Sequence, residues 1–510
     1  VHRLRAALPA LALACALPGG APRAEPYDLV VAGGRVMDPE SGLDAVRSLG
    51  IRGGRIEAVS AGPLEGRETL DATGLVVAPG FVDLHAHGQD PTSSALQARD
   101  GVTTALDLEI GAHPVPAFFE QRGGEAVIHY GVSAGHIPAR ADLEHGIELV
   151  HPPTTPELAT GPAAAIRRLV ARFYRPTGYA HDAATPAEIQ ELVDLVAADL
   201  DAGGIGIGFG LDYTPGATPD EIRALFALAA RRGVPAFVHM RGGVGPDDMT
   251  QIDALLEQAR ATGASLHIFH LASSGLARTP AYLARIDAAR AGGQDVTTEV
   301  YPYTAGSTRL ESAFFDPGWQ QRLGISYADL QWSETGERLS EESFERYREQ
   351  GGWVIAHMMT PEIVDLAIAH PGVMIASDGI PFLKGGEHPR GAGTFARTLG
   401  VYVRERKLLS LMEALRKMTV LPARRIEAAA PAMRAKGRIR PGADADLTLF
   451  DPARVADRAT FERSREPSAG IVHVLVAGTF VVRDEAPVEG AFPGRAILAD
   501  ATRERPEAPR

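Results

Sequence analysis

The chain has 510 residues, 45% hydrophobic and 23% charged, a globular composition long enough for one large barrel with a smaller companion domain. Its formal net charge of −13, with no basic block, sets nucleic acid aside as a partner. Cysteine occurs only at Cys15, and lysine only at Lys384, Lys407, Lys417 and Lys436, which narrows the metal ligands open to the rest of the chain.

Residues 1–24 have a basic start (Arg3, Arg5), an apolar run over 6–17 and then Pro and Gly. This is the layout of a secretory signal, too short to span a membrane. It predicts an exported protein, periplasmic or secreted. In the alternative reading, Ala12-Leu13-Ala14-Cys15 is a lipobox, and cleavage before Cys15 would leave a lipid anchor as the sole membrane attachment.

From 27 to 59 short apolar runs alternate with Gly turns, and the same texture returns at 445–450 and 471–482. Two such segments at opposite ends predict one β-sandwich domain, assigned to 25–78 and 427–500. Between them, over 79–426, apolar runs alternate with Ala-rich helical stretches such as 186–200, 219–231 and 248–261. The strand candidates are 75–84, 103–108, 126–133, 205–211, 236–240, 266–271, 296–303, 353–358 and 373–377. Strand–helix alternation of this length predicts an α/β fold with a (β/α)8 barrel. The candidates outnumber the eight strands of such a barrel by one, so one of the last three belongs elsewhere. The polar stretch 311–351, with Trp319 and Trp332, reads as an insertion, either a lid over the barrel mouth or a solvated excursion.

The segment PGFVDLHAH (79–87) carries His85 and His87 two residues apart at a strand end, on one face, a spacing that can grip a metal ion. Later candidates end at Asp107 and Glu109, at His239, at His270 and at Asp378. In a barrel these ends converge on one face, where the set can hold one or two divalent ions, Zn2+ first and Mn2+ or another metal next. His267 should lie deeper in the wall. His129, His145, His151, His181, His370 and His473 read as structural, and His357 is left open.

The chain resembles the amidohydrolase superfamily and, within it, the N-acyl-D-amino-acid deacylase (D-aminoacylase) family. The resemblance rests on PGFVDLHAH, GVTT (101–104), GFGLDYTPGA (208–217), VHMR (238–241), YPYTAGST (301–308) and ASDG (376–379). HPRGAGTFARTLG (388–400), RKMTVLPARRI (416–426) and GADADLTLFDP (442–452) extend it. It implies a metal-dependent amide hydrolase that takes a small N-acylated amino acid to a carboxylic acid and an amino acid. His85 and His87 match the first metal site, and His239 and His270 the second. Asp378 matches the aspartate that binds metal and acts as general acid/base. Tyr301, Ser307 and Arg390 match residues that hold the substrate carboxylate, and His136 a loop histidine near the pocket.

This chain departs from the pattern twice. The family's usual cysteine ligand is absent and Glu109 lies within one position of its place. No lysine precedes Lys384 to serve as a carboxylated bridge, so a carboxylate must bridge two metals, Glu109 first and Asp107 as the fallback. Where the family commonly has a lysine two residues after the histidine matching His270, this chain has Ala272, so either Arg241 or Arg390 takes over its contact with the carboxylate or the substrate lacks a free carboxylate in that place. The competing readings are a dipeptidase, including the isoaspartyl type, and a non-catalytic exported binding protein.

Overall fold

The structure, a computed structural model, describes residues 25–145, 178–382 and 387–500. The segment 1–24 with Cys15, His151, the side chain of His145, and Lys384 lie outside the described residues.

Eight parallel strands hydrogen-bond in chain order. They are β1 (Phe81–Asp83), β2 (Val102–Ala112), β3 (His129–Gly135), β4 (Ile207–Gly210), β5 (Pro235–His239), β6 (Ser265–Ile268), β7 (Val296–Val300) and β8 (Val373–Ile375). β8 returns toward β1 just beyond its end: Ser377 N donates to Asp83 Oδ1 at 3.0 Å, and Ala86 bridges Gly379 in parallel. This is the predicted barrel. Its strands are largely buried on both faces because helices cover the outside while side chains fill the inside.

The outer helices form for local reasons. Thr185 and Glu188 make a capping box at the start of helix Pro186–Asp201. Helix Pro219–Arg232 starts at the Thr218 cap and stops at left-handed Gly233. Its Ile222, Leu225, Phe226 and Ala229 recur at helical spacing and are buried, each large side chain contributing about 1.5–3 kcal/mol by leaving water.

The surplus strand candidate is 353–358. Trp353–Ala356 is the middle strand of a three-stranded antiparallel sheet, between Gly306–Arg309 and Leu330–Trp332. This sheet belongs to an insertion between β7 and helix Pro361–Ala369, on the face where the strands end. The insertion has an aromatic core of its own: Trp319 stacks on Phe344 at 5.4 Å and Trp332 on Tyr347 at 4.3 Å.

The second sheet has nine strands. Tyr27–Asp38, Leu43–Arg52, Arg55–Ser60, Gly66–Asp71 and Val76–Pro79 come from the first part of the chain, and Leu447–Phe450, Ile471–Val476, Thr479–Arg483 and Ala486–Pro487 from the last. Val76–Pro79 joins the halves, parallel to Tyr27–Asp38 and antiparallel to Leu447–Phe450. The run 75–84, expected as one barrel strand, is therefore two strands in two sheets. Its break is Gly80, where a Cβ would collide with the Thr103 side chain and whose N–H donates instead to Asp446 O at 2.8 Å.

Candidate metal centre and its pocket

The ends of the barrel strands bring together two groups of ligand atoms that share one residue. His85, His87, Glu109 and Asp378 form the first, and Glu109, His239 and His270 the second, with the atoms of each group within 4.8 Å of one another. Glu109 divides its two oxygens between them. Oε2 lies 3.0 Å from His85 Nε2 and 2.9 Å from His87 Nε2. Oε1 lies 2.6 Å from His239 Nδ1 and 3.0 Å from His270 Nε2. Asp378 Oδ1 completes the first group, 3.3 Å from His85 Nε2 and 3.6 Å from His87 Nε2.

Each histidine presents one ring nitrogen to the centre and turns the other elsewhere, where a hydrogen bond orients the rings of His85, His87 and His270. His85 Nδ1 faces Glu299 Oε1 at 2.9 Å, and His270 Nδ1 faces Ser274 Oγ at 3.1 Å. His87 Nδ1 faces Asp107 Oδ1 at 3.2 Å, and His239 Nε2 faces Asp212 Oδ2 at 4.0 Å. Asp107, the fallback bridge, thus sits behind His87, outside both groups. Glu299 Oε1 also accepts the backbone N–H of His270 at 3.0 Å, tying the two halves of the centre together.

The backbone is bent to make this site. The β2–β3 register shifts between Asp107 and Ala112, at the strand end that delivers Glu109. His270 and Asp378 adopt φ of 30° and 52°, a left-handed region that is uncommon outside glycine and concentrated at functional sites.

The charge balance suits a cation. Burial opposes a charged His85, yet Asp378, Glu109 and Glu299 outweigh it and push its pKa up to about 10. His239 is likewise raised against burial, mainly by Glu109. Glu109 resists burial through His85 and His239 and is held well below the usual carboxylate range. A field that holds protons on imidazoles also draws in a divalent metal, which displaces them. Imidazole and carboxylate donors suit Zn2+ and, with no thiolate among them, harder divalent ions too.

A pocket of about 460 Å3 opens over the centre. Ile110, Ile137, Phe314, Leu323, Trp353 and Met358 give it apolar walls, the last four from the insertion. Tyr301, Ser307 and Arg390 line it together. Arg390 Nη1 is 2.9 Å from Asp378 Oδ2, Nη2 donates to Ser307 O at 3.3 Å, and the guanidinium lies 4.7 Å from the Tyr301 ring centre. Arg390 Nε and Ser307 Oγ are buried with no hydrogen-bond partner. Asp378 is pushed up by burial, but Arg390 and His85 prevail and keep it ionised at neutral pH.

Two expected substrate contacts are placed elsewhere. Arg241 is outside the pocket lining, its guanidinium donating to the carbonyls of Leu211, Thr214, Pro215 and Ala217. It holds the loop that carries Asp212 and Tyr213 into the pocket. His136 is fully buried, with Nε2 2.7 Å from Glu221 Oε1, beside Arg140. Among the remaining histidines, His357 pairs with Gln331 at 3.0 Å, and His267 lies lower in the barrel with Nδ1 2.7 Å from Thr297 Oγ1. His129 meets Asp446, His181 Asp316 and His370 Asp287, while His473 Nδ1 accepts from Asp484 N. Glu299 escaped the sequence reading although it left a signal: a lone carboxylate in the β-branched run Val296–Val300 must be paired once buried.

Comparison with known proteins agrees with this geometry. The sequence model of the amidohydrolase family matches residues 68–482. The chain is 32% identical over 506 residues to an N-acyl-D-glutamate deacylase of Alcaligenes xylosoxydans xylosoxydans, covering 94% of this chain and 98% of that one. It is also 32% identical over 518 residues to a D-aminoacylase of the same organism, with 94% and 99% covered. Among solved structures it is similar to N-acyl-D-glutamate deacylase from Bordetella bronchiseptica complexed with zinc and a phosphonate inhibitor, with TM-score 0.72, 29% identity, and 93% and 100% of the two chains covered. With the match covering the whole barrel and every strand end that supplies a donor, the chain belongs to the amidohydrolase family.

Proposed function

We propose that this protein is a metal-dependent hydrolase that cleaves the amide bond of N-acyl amino acids, releasing a carboxylic acid and an amino acid. The observation that carries this reading is the division of Glu109 between two histidine groups, directly beneath a pocket that also holds Asp378 and Arg390. His85, His87 and Asp378 would hold one ion, His239 and His270 a second, and Glu109 would bridge them. A divalent metal held there acidifies water and polarises a carbonyl.

The chain supplies the rest. Asp378, ionised and fixed by Arg390, accepts a proton from the attacking water and returns it to the leaving nitrogen. The unpartnered Arg390 Nε and Ser307 Oγ, beside Tyr301, receive the amino-acid carboxylate as charge-assisted hydrogen bonds. With Ala272 in place of a lysine, Arg390 is the cation that the pocket sets beside Asp378. The apolar walls take the acyl chain and an apolar side chain, and exclude water from the reacting amide.

D-configured N-acyl amino acids are the first substrates to test, because both relatives are named for D-compounds. The experiment is a hydrolysis panel of D and L N-acyl amino acids, short and long acyl chains, and dipeptides, with metal content measured on the same sample. Preferential turnover of N-acyl amino acids by metal-loaded protein supports the proposal. Turnover of dipeptides alone would assign the site to a dipeptidase. We also read 1–24 as an export signal; fractionation of cells making the full chain should place activity outside the cytoplasm, and activity confined to the cytosol would contradict it.

A further inference from the structure

A second cavity, of about 270 Å3, lies at the opposite end of the barrel. Its walls are the starts of the strands: Pro235 of β5, Ser265 of β6, and Asp295 and Thr297 at β7. Helix Val420–Ile426 and the residues after it close the other side with Arg424, Arg425, Ala428 and Ala429. Neither the metal centre nor its substrate pocket reaches this cavity.

Arg425 is its distinguishing residue. The side chain is only 3% exposed, yet just one of its nitrogens is engaged: Nη1 donates to Asp295 Oδ1 at 2.6 Å. Nε and Nη2, the side-on edge of the guanidinium, are buried with no hydrogen-bond partner. That edge is the fork that takes a carboxylate or phosphate bidentately, and leaving it unsatisfied in a buried site costs several kcal/mol. The surrounding charge has the matching sign. Arg424 lines the same cavity, with Nη2 reaching Glu40 at 3.1 Å. Arg290 lies close enough to act on Arg425 electrostatically. Asp295 is the one carboxylate in the wall, its Oδ2 already accepting from Ser265 Oγ at 2.5 Å. His267 completes the polar surroundings; burial and the Arg425 charge keep it neutral, so its unpartnered Nε2 adds no competing charge.

We propose that this cavity is a second binding site, for a small oxyanion gripped by the free Nε/Nη2 edge of Arg425 and drawn in by Arg424. Phosphate and carboxylate share the required chemistry. The cavity holds either one with ordered water to spare, since a water takes about 30 Å3.

The test uses the metal-loaded full chain and follows thermal unfolding and calorimetric binding with inorganic phosphate, acetate and, at matched ionic strength, chloride. A saturable stabilisation by phosphate or acetate and not by chloride is expected, and the stronger of the two identifies the source. Arg425→Met should weaken the response at least about ten-fold, because the bidentate fork is gone. Because that variant also removes the Arg425–Asp295 ion pair, Ala428→Glu is the second test. It places a carboxylate at the exposed rim, should raise thermal stability without added anion, and should abolish the anion response. Hydrolysis should change by less than about two-fold in both variants, since neither residue touches the centre. No saturable oxyanion response in the parent protein, or an equal response in both variants, would show that the cavity holds only water.

Discussion

Glu109 can serve two ions because a carboxylate has two equivalent oxygens, and here they point to different histidine groups. Glu109→Gln keeps the shape and removes half of that capacity. It should lose metal from at least one site, measured as metal per chain, and with it most of the turnover. Glu299 acts one layer out, fixing the His85 tautomer and the His270 backbone. Glu299→Gln should keep the fold and weaken metal affinity by about 10- to 100-fold, as the loss of such outer partners does. Asp378→Asn should lower kcat by about 10²–10⁴-fold while leaving folding near the parent, because Asn tolerates the left-handed backbone at φ 52°. Substantial residual turnover would remove Asp378 from its role. Glu109 and Asp378, unlike Glu299, were legible in the sequence for a simple reason: histidines and acids at successive strand ends converge in any parallel barrel, and a chain poor in Cys and Lys leaves a carboxylate as the bridge. Arg241, expected in place of the missing lysine, and His136, expected from the resemblance, do not line the pocket. Proximity along a motif does not show that Arg241 donates to four carbonyls or that His136 is sealed against Glu221.

At the scale of elements, the insertion after β7 decides what the pocket admits. Tyr213, from the loop after β4, reaches across to Thr308 of the insertion strand with an O···O distance of 2.9 Å, and its ring centre lies 4.8 Å from that of His239. Thr308→Val keeps the volume and removes the bond, worth about 0.5–1.5 kcal/mol. A several-fold rise in KM with little change in kcat is expected; a fall in kcat alone would mean that Tyr213 serves the chemistry rather than closure. The insertion was only half legible. Its apolar run 353–358 has the length and composition of a barrel strand, and periodicity cannot tell a parallel strand in the barrel from a buried antiparallel one in an excursion. What distinguishes them is the partner, which comes from Gly306–Arg309 and Leu330–Trp332, neither of which stood out as a strand.

Across the whole molecule, the nine-stranded sheet and the barrel are joined by a buried ionic knot. Lys436 Nζ donates to Asp446 Oδ2 at 2.7 Å and to Asp444 Oδ2 at 3.0 Å, while His129 of β3 meets Asp446 Oδ1 at 3.2 Å. Burial would raise the Asp446 pKa, but Lys436 and His129 overcome it and hold the group far below its ordinary range. A depressed folded pKa means stability that is present above the unfolded value, about 3.9, and lost as pH falls below it. Asp446→Ala should therefore destabilise the protein by about 3–5 kcal/mol at pH 7, with the gap to the parent closing as pH drops below the unfolded value; a pH-independent gap would contradict the ionic account. The sheet's origin in both chain ends could be read from matching textures, but the split of 75–84 between two sheets could not, because Gly80 shows its close approach to Thr103 only in three dimensions.

The central claim is that Glu109 carries a two-ion centre that hydrolyses N-acyl amino acids. The most direct measurement is a metal titration of chelator-stripped protein, followed by N-acyl-D-amino acid hydrolysis and metal analysis at each step, with the Glu109→Gln variant run alongside. The account predicts no turnover in stripped protein, activity returning with bound metal, saturation at no more than two ions per chain, and reduced metal uptake with little activity in the variant. Full activity in stripped protein, or a Glu109→Gln variant that binds and turns over like the parent, would contradict it.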